Sequence, residues 1–125
     1  MDVLKTHKMF INGKFARSES GRTYNWTTPD NKDSINICHA SRKDFRDSVS
    51  AAKNALSGWS ARTAYNRAQI IYRCAEILEG RSAQFIEELR TQGLNTEDAH
   101  EEVRRTIDLL VSYAGWADKY GQLFS

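Results

Sequence analysis

The chain is 125 residues long, one domain's worth: enough for a modest core, too short for a cofactor domain plus a substrate domain. Hydrophobic residues make up 40% and charged residues 27%, and proline occurs once, which excludes a disordered or low-complexity chain. The 18 basic and 16 acidic residues are interspersed and leave a formal net charge of +2, so no strong field points to nucleic acid or an anionic membrane.

Taken in order, the elements predict an α+β, helix-dominant fold in a single unit, 1–125, with a β-rich part over 9–39 and a helical part over 41–120. "MFINGKFA" sets Asn12-Gly13 between two apolar runs, the strongest short-range hairpin signal because both residues tolerate positive φ. Strands are expected over Met9–Ile11 and Lys14–Ala16. "TYNWT" suits another strand, Pro29 with "DNKD" forces a loop, and "SINICHA" alternates as a last strand with Ile35, Ile37 and His39 on one face.

From Ser41 the period becomes helical. Ser41 and Asp44 form a capping pair, and Phe45, Val49, Ala52 and Leu56 mark the buried face of a first helix ending at Gly58, with Trp59 folded back on it. A cap at Ser60 or Thr63 opens a second helix with Ala68, Ile71, Ala75 and Leu78 as one stripe. Ile70, Cys74 and Ile77 widen that stripe and imply burial on two sides. Gly80 stops this helix; Ser82 starts a third, with Phe85, Ile86 and Leu89 inward and Gly93 as its stop. Asn95 and Asp98 cap a long fourth helix whose buried face is Ala99, Val103, Ile107, Leu110, Ala114 and Ala117. Gly115 falls in mid-helix, at a cost of roughly 1 kcal/mol relative to alanine.

Chemistry is sparse. Neither a GxGxxG nor a GxxxxGK phosphate loop occurs. Cys38 and Cys74 lie in apolar contexts without a CxxC pair and read as buried thiols in a reducing compartment. The N-terminus lacks the apolar stretch of a signal peptide and no membrane-length apolar run exists, so a cytoplasmic location is expected. His100 among Glu97 and Glu101 imitates half of a di-iron helix pair, but no second motif matches it. A solvated face with Glu101 paired to Arg105 is the better reading. The arginines around the second helix lack interleaved aromatics and do not form a nucleic-acid face.

The ordered series "FINGKF", "TTPDNKD", "DFRDSVSAAKNALSGWS", "NRAQIIYRCAEILEGR" and "EEVRRTIDLLVSYAGWADKY" resembles the N-terminal quarter of the aldehyde dehydrogenase superfamily, over Met9 to Tyr120. The "INGKF" hairpin, "ALSGWS", "RAQII" and above all "YAGWADK" carry the likeness. It implies a parent enzyme that oxidises an aldehyde to a carboxylic acid with NAD or NADP, by thiolate attack, hydride transfer and glutamate-assisted hydrolysis. In the family the cofactor segment, the glutamate and the cysteine lie beyond the matched region. This chain is therefore assigned no catalytic, cofactor-binding or metal-binding residue.

The resemblance also implies that Arg105, Thr106 and Leu109 face an aldehyde channel, that Gly115 and Trp116 form an interface with the rest of the parent, and that the parent is a homo-oligomer. From the residues alone, Arg105 is equally a solvated charge and Leu109 equally core. Two departures suit a divergent member: Thr28-Pro29-Asp30-Asn31-Lys32 stands where the family usually has Asn-Pro-x-x-Gly, losing its glycine turn, and Gly93-Leu94 where it has Gly-Lys. The competing reading is a free-standing, non-catalytic helical module that binds a protein partner.

Overall fold

The structure, a computed structural model, describes residues 5–124. Short strands precede four helices in an α+β, helix-dominant arrangement, as the periodicity predicts: β1 (Thr6–His7), β2 (Met9–Ile11), β3 (Lys14–Ala16), β4 (Thr23–Thr27), β5 (Ser34–Cys38), α1 (Arg42–Ser60), α2 (Ala64–Gly80), α3 (Ser82–Thr91) and α4 (Thr96–Leu123). The chain forms two compact units, Met1–Gly58 and Trp59–Ser125, so the boundary falls inside α1.

In the first unit, β2 and β3 pair antiparallel around Asn12 and Gly13, whose φ of 55° and 74° match the twist of the strands. A three-stranded sheet has the order β1-β5-β4, with β4 antiparallel and β1 parallel to β5. Strand β1 has no counterpart in the sequence reading; two residues in a polar stretch carry no alternation to detect. Ile35 and Ile37 are half-buried, whereas His39 lies beyond β5, exposed, edge-on to the ring of Tyr24.

The loop expected to lose its glycine turn keeps a tight turn by other means. The Asn31 N–H donates to the Thr28 carbonyl at 2.8 Å, and Asn31 adopts the left-handed conformation at φ 58°, which asparagine tolerates. The buried Thr28 hydroxyl donates to Asp30 and accepts from the Asp33 N–H at 3.1 Å.

Helix α1 corrects two expectations. It runs through Gly58 and Trp59 to Ser60, since Gly58 is not among the positive-φ glycines. Its Phe45, Val49 and Leu56, expected on a buried face, are exposed, Phe45 by 72%. The buried member of this helix is Asp44 instead. Its carboxylate accepts from the Ser41 N–H (2.7 Å), the Ser41 hydroxyl (2.8 Å) and the Ser18 hydroxyl (2.5 Å), 26 residues away. Local capping alone would need only Ser41; Ser18 ties the helix start to the turn after β3.

In the second unit, α2 packs chiefly on α4, and α3 on α4. The buried residues are small: Ala68 and Ala75 from α2, Ala99, Val103 and Ala114 from α4. Thr63 caps α2 by accepting from the Asn66 N–H, and Asn95 caps α4 by accepting from Asp98. Gly93 ends α3 at φ 111°, with bonds from Leu94 N–H to Leu89 carbonyl and from Gly93 N–H to Arg90 carbonyl, a Schellman motif. Gly80 is the last residue of α2 but not left-handed, and α3 begins after Arg81 with no side-chain cap from Ser82. Cys38 is buried, but Cys74 is exposed, as are Ile77 and Phe85. Burial of α2 on two sides is thus not met among the described residues.

Three donated hydrogen bonds, Ser18 foremost, hold the Asp44 carboxyl from its ordinary 3.8 down to about 2. Because the unfolded state binds the proton more readily, this contribution is complete above pH 3.8 and is lost as pH falls through about 2. An NMR titration of the Asp44 carboxyl is expected to show the depressed midpoint, and Ser18→Ala to move it up; a midpoint of 3.8 in the native chain would show the lock is absent.

Candidate functional site

Helix α4 carries every residue singled out for function. Arg105 and Leu109 are four residues apart and Trp116 seven further on, so the three share one face, and all are exposed. Thr106 sits at the edge of that face, half-buried, its hydroxyl donating to the Glu102 carbonyl at 2.7 Å. Gly115 points elsewhere. A Cβ there would meet the Tyr72 hydroxyl of α2 at 3.5 Å, an ordinary contact, and the site is half-buried. Gly115 and Trp116 therefore look in different directions: one toward α2, the other into solvent.

The same exposed face holds residues not recognised from the sequence as a group. Tyr113, Trp116, Ala117, Tyr120 and Phe124 line an open, almost wholly apolar hollow, with the Tyr120 and Phe124 rings 4.8 Å apart. The signal was present in the spacing of the aromatics, but tyrosines at a helix surface are common enough to pass as solvated.

On another side of α4, a shallow polar depression is lined by Glu97, Asp98, His100, Glu101 and Arg104. The expected Glu101 to Arg105 pair is replaced by Arg104, which reaches Glu101 at 2.6 Å and Asp108 at 2.8 Å. Donation from Arg104 lowers the Glu101 pKa and raises that of Arg104 itself. These pairs are solvated and contribute little to stability. Among the described residues no three or more His, Cys, Asp or Glu side chains are grouped to hold a metal. No helix among them is long and apolar enough to cross a membrane.

Short strands followed by four helices, with an apolar face of α4 bared to solvent, define the class of fold. The family model of the aldehyde dehydrogenase family matches residues 15–124, and the chain belongs to that family. It is 32% identical to cytosolic 10-formyltetrahydrofolate dehydrogenase of Xenopus tropicalis, over 95% of this chain and 14% of that protein. It is also 32% identical to omega-crystallin of Enteroctopus dofleini, over 93% of this chain and 24% of that protein. Among solved structures, an NAD-dependent benzaldehyde dehydrogenase from Corynebacterium glutamicum superposes with a TM-score of 0.84 at 28% identity, over 90% of this chain and 25% of that one. The chain thus spans 14% and 24% of the length of these two curated relatives.

Since a Cβ at position 115 has room, Gly115→Ala in the chain alone is expected to be neutral or to stabilise by up to about 1 kcal/mol, read by urea unfolding. A loss of more than about 1 kcal/mol would mean that α4 approaches α2 more closely than described.

Proposed function

We propose that this chain is the N-terminal segment of an aldehyde dehydrogenase that oxidises an aldehyde to a carboxylic acid with NAD or NADP, the chemistry being supplied by other parts of the polypeptide. The carrying observation is the incomplete core. No large side chain is fully buried among the described residues, while Phe45, Leu56, Tyr113 and Trp116 are all exposed. The accessible surface is 10124 Å². A folded monomer of 14.3 kDa exposes about 6800 Å², and even two separate folded halves about 8200 Å². An accessible surface of this extent, with those large apolar side chains on it, is what a face covered in the working protein would leave.

The residues present do not fit the cofactor. Its pyrophosphate calls for a glycine-rich turn leading into a helix N-terminus; the left-handed glycines, Gly13, Gly21 and Gly93, lie in a hairpin, a polar turn and a helix stop. What this segment contributes is a wall: Arg105, Thr106 and Leu109 face the aldehyde channel of the complete enzyme, and Trp116 its interface. Exposure of Arg105, Leu109 and Trp116 on one face of α4 supports that assignment. A cytoplasmic homo-oligomer is the matching form of the parent.

A free-standing interaction module rests on the same exposed surface, so stability separates the two. The chain alone is expected to bind an apolar fluorescent dye, to unfold over a broad transition, and to reduce neither NAD nor NADP with an aldehyde. Sharp two-state unfolding of a monomer that binds no dye would overturn the segment reading, and aldehyde-dependent reduction by the chain alone would overturn its dependence on the rest.

A further inference from the structure

The charges around Arg105 on α4 are shared out unequally. Glu101, Glu102 and Asp108 stand four before, three before and three after Arg105, all at pairing distance on a helix surface. Arg104 takes two of these acids. Its guanidinium reaches Glu101 at 2.6 Å and Asp108 at 2.8 Å, and its Nε donates to Glu101 at 3.0 Å. Arg105 is exposed, and among the described residues no ion pair engages it, with Glu102 or any other acid.

The residues beside Arg105 offer a polar ligand little else. The Thr106 hydroxyl donates its single proton to the Glu102 carbonyl at 2.7 Å and has none left to give. Leu109, four residues on and about 6 Å along the axis, is apolar and 48% exposed. This wall therefore presents one strong donor, a guanidinium fork, next to an apolar step. A carboxylate matches the fork through two parallel N–H···O bonds, and its single negative charge balances the cation. A phosphate carries nearly two charges at neutral pH and three acceptor oxygens, more than one fork can serve. A neutral group would take the guanidinium out of water and return no comparable bond.

We infer that Arg105 determines substrate choice in the channel, selecting aldehydes that carry a carboxylate at the end remote from the reacting carbonyl, with Leu109 beside the apolar spacer. The inference rests on the dehydrogenase reading and on its assignment of these residues to the channel wall. Arg104 supports the selection by holding Glu101 and Asp108, which keeps both acids from closing on Arg105. The remote carboxylate is bound alike before and in the transition state, so the selection falls on KM more than on kcat.

Steady-state kinetics of the complete dehydrogenase polypeptide that carries this segment test it, with two matched pairs of substrates: 4-oxobutanoate against butanal, and 4-carboxybenzaldehyde against benzaldehyde. The acid of at least one pair is expected to be favoured about tenfold or more in kcat/KM, chiefly through KM, with the margin narrowing in high salt. Arg105→Gln is expected to remove that preference, Arg105→Glu to invert it, and Arg105→Lys to keep part of it. A merely structural role for Arg105 would change both members of a pair alike. Equal kcat/KM within both pairs, a preference for the neutral members, or a ratio that survives Arg105→Gln or Arg105→Glu would overturn the inference and leave the dehydrogenase reading standing. Reduction of neither NAD nor NADP with any of the four aldehydes would overturn the dehydrogenase reading, and this inference with it.

Discussion

The contact of α2 with α4 through small side chains is the constraint on which the second unit depends. Ala68 and Ala75 of α2 and Ala99, Val103 and Ala114 of α4 are the buried apolar residues of this unit, and α2 packs chiefly on α4. An alanine, however, removes little apolar area from water, and at about 25 cal/mol per Å² such a core supplies only a small share of what ordering the backbone costs. Of the larger apolar side chains, which could supply more, Ile71, Leu78, Ile107 and Leu110 are only half-buried, and Leu109, Tyr113 and Trp116 are exposed. Close helix packing and a bared surface are thus two consequences of one distribution of residue sizes along α2 and α4.

The first unit solves a different problem. Its strands are two to five residues long, and short strands gain little from their ladders alone. Asp44 compensates by gathering Ser18, Ser41 and the start of α1 around one buried carboxylate. Charge-assisted bonds of this kind hold backbone segments in register where packing is thin. The Thr28 turn applies the same device, a buried hydroxyl serving two partners.

Local signals were legible in the residues, and distant ones were not. Asn12-Gly13, Thr63, Asn95 and Gly93 each act within four positions, and the hairpin, two helix starts and one helix stop fall where they indicate. Gly58 misled, because a glycine ends a helix only when the chain leaves the helical region there, and here it does not. Periodicity found the apolar face of α1 but could not say that Phe45 and Leu56 lack a cover, since a pattern records which side is apolar and not what lies against it. The reach of Ser18 to Asp44 across 26 residues has no local signature. In the candidate site, Arg105, Leu109 and Trp116, named from the family resemblance, share a face of α4; the hollow around Ala117 depends on how residues three, four and seven apart come together on the helix surface.

The central claim is that stability is concentrated where small residues pack α2 on α4, while the larger apolar faces contribute little until they are covered. Native-state hydrogen exchange of the chain alone tests this residue by residue. The slowest amides are expected around Ala68, Ala75, Ala99 and Val103, with those from Phe45 to Leu56 in α1 exchanging much faster. Protection in α1 equal to that in α2 and α4 would contradict it, because α1 would then be held by a core that these residues do not describe.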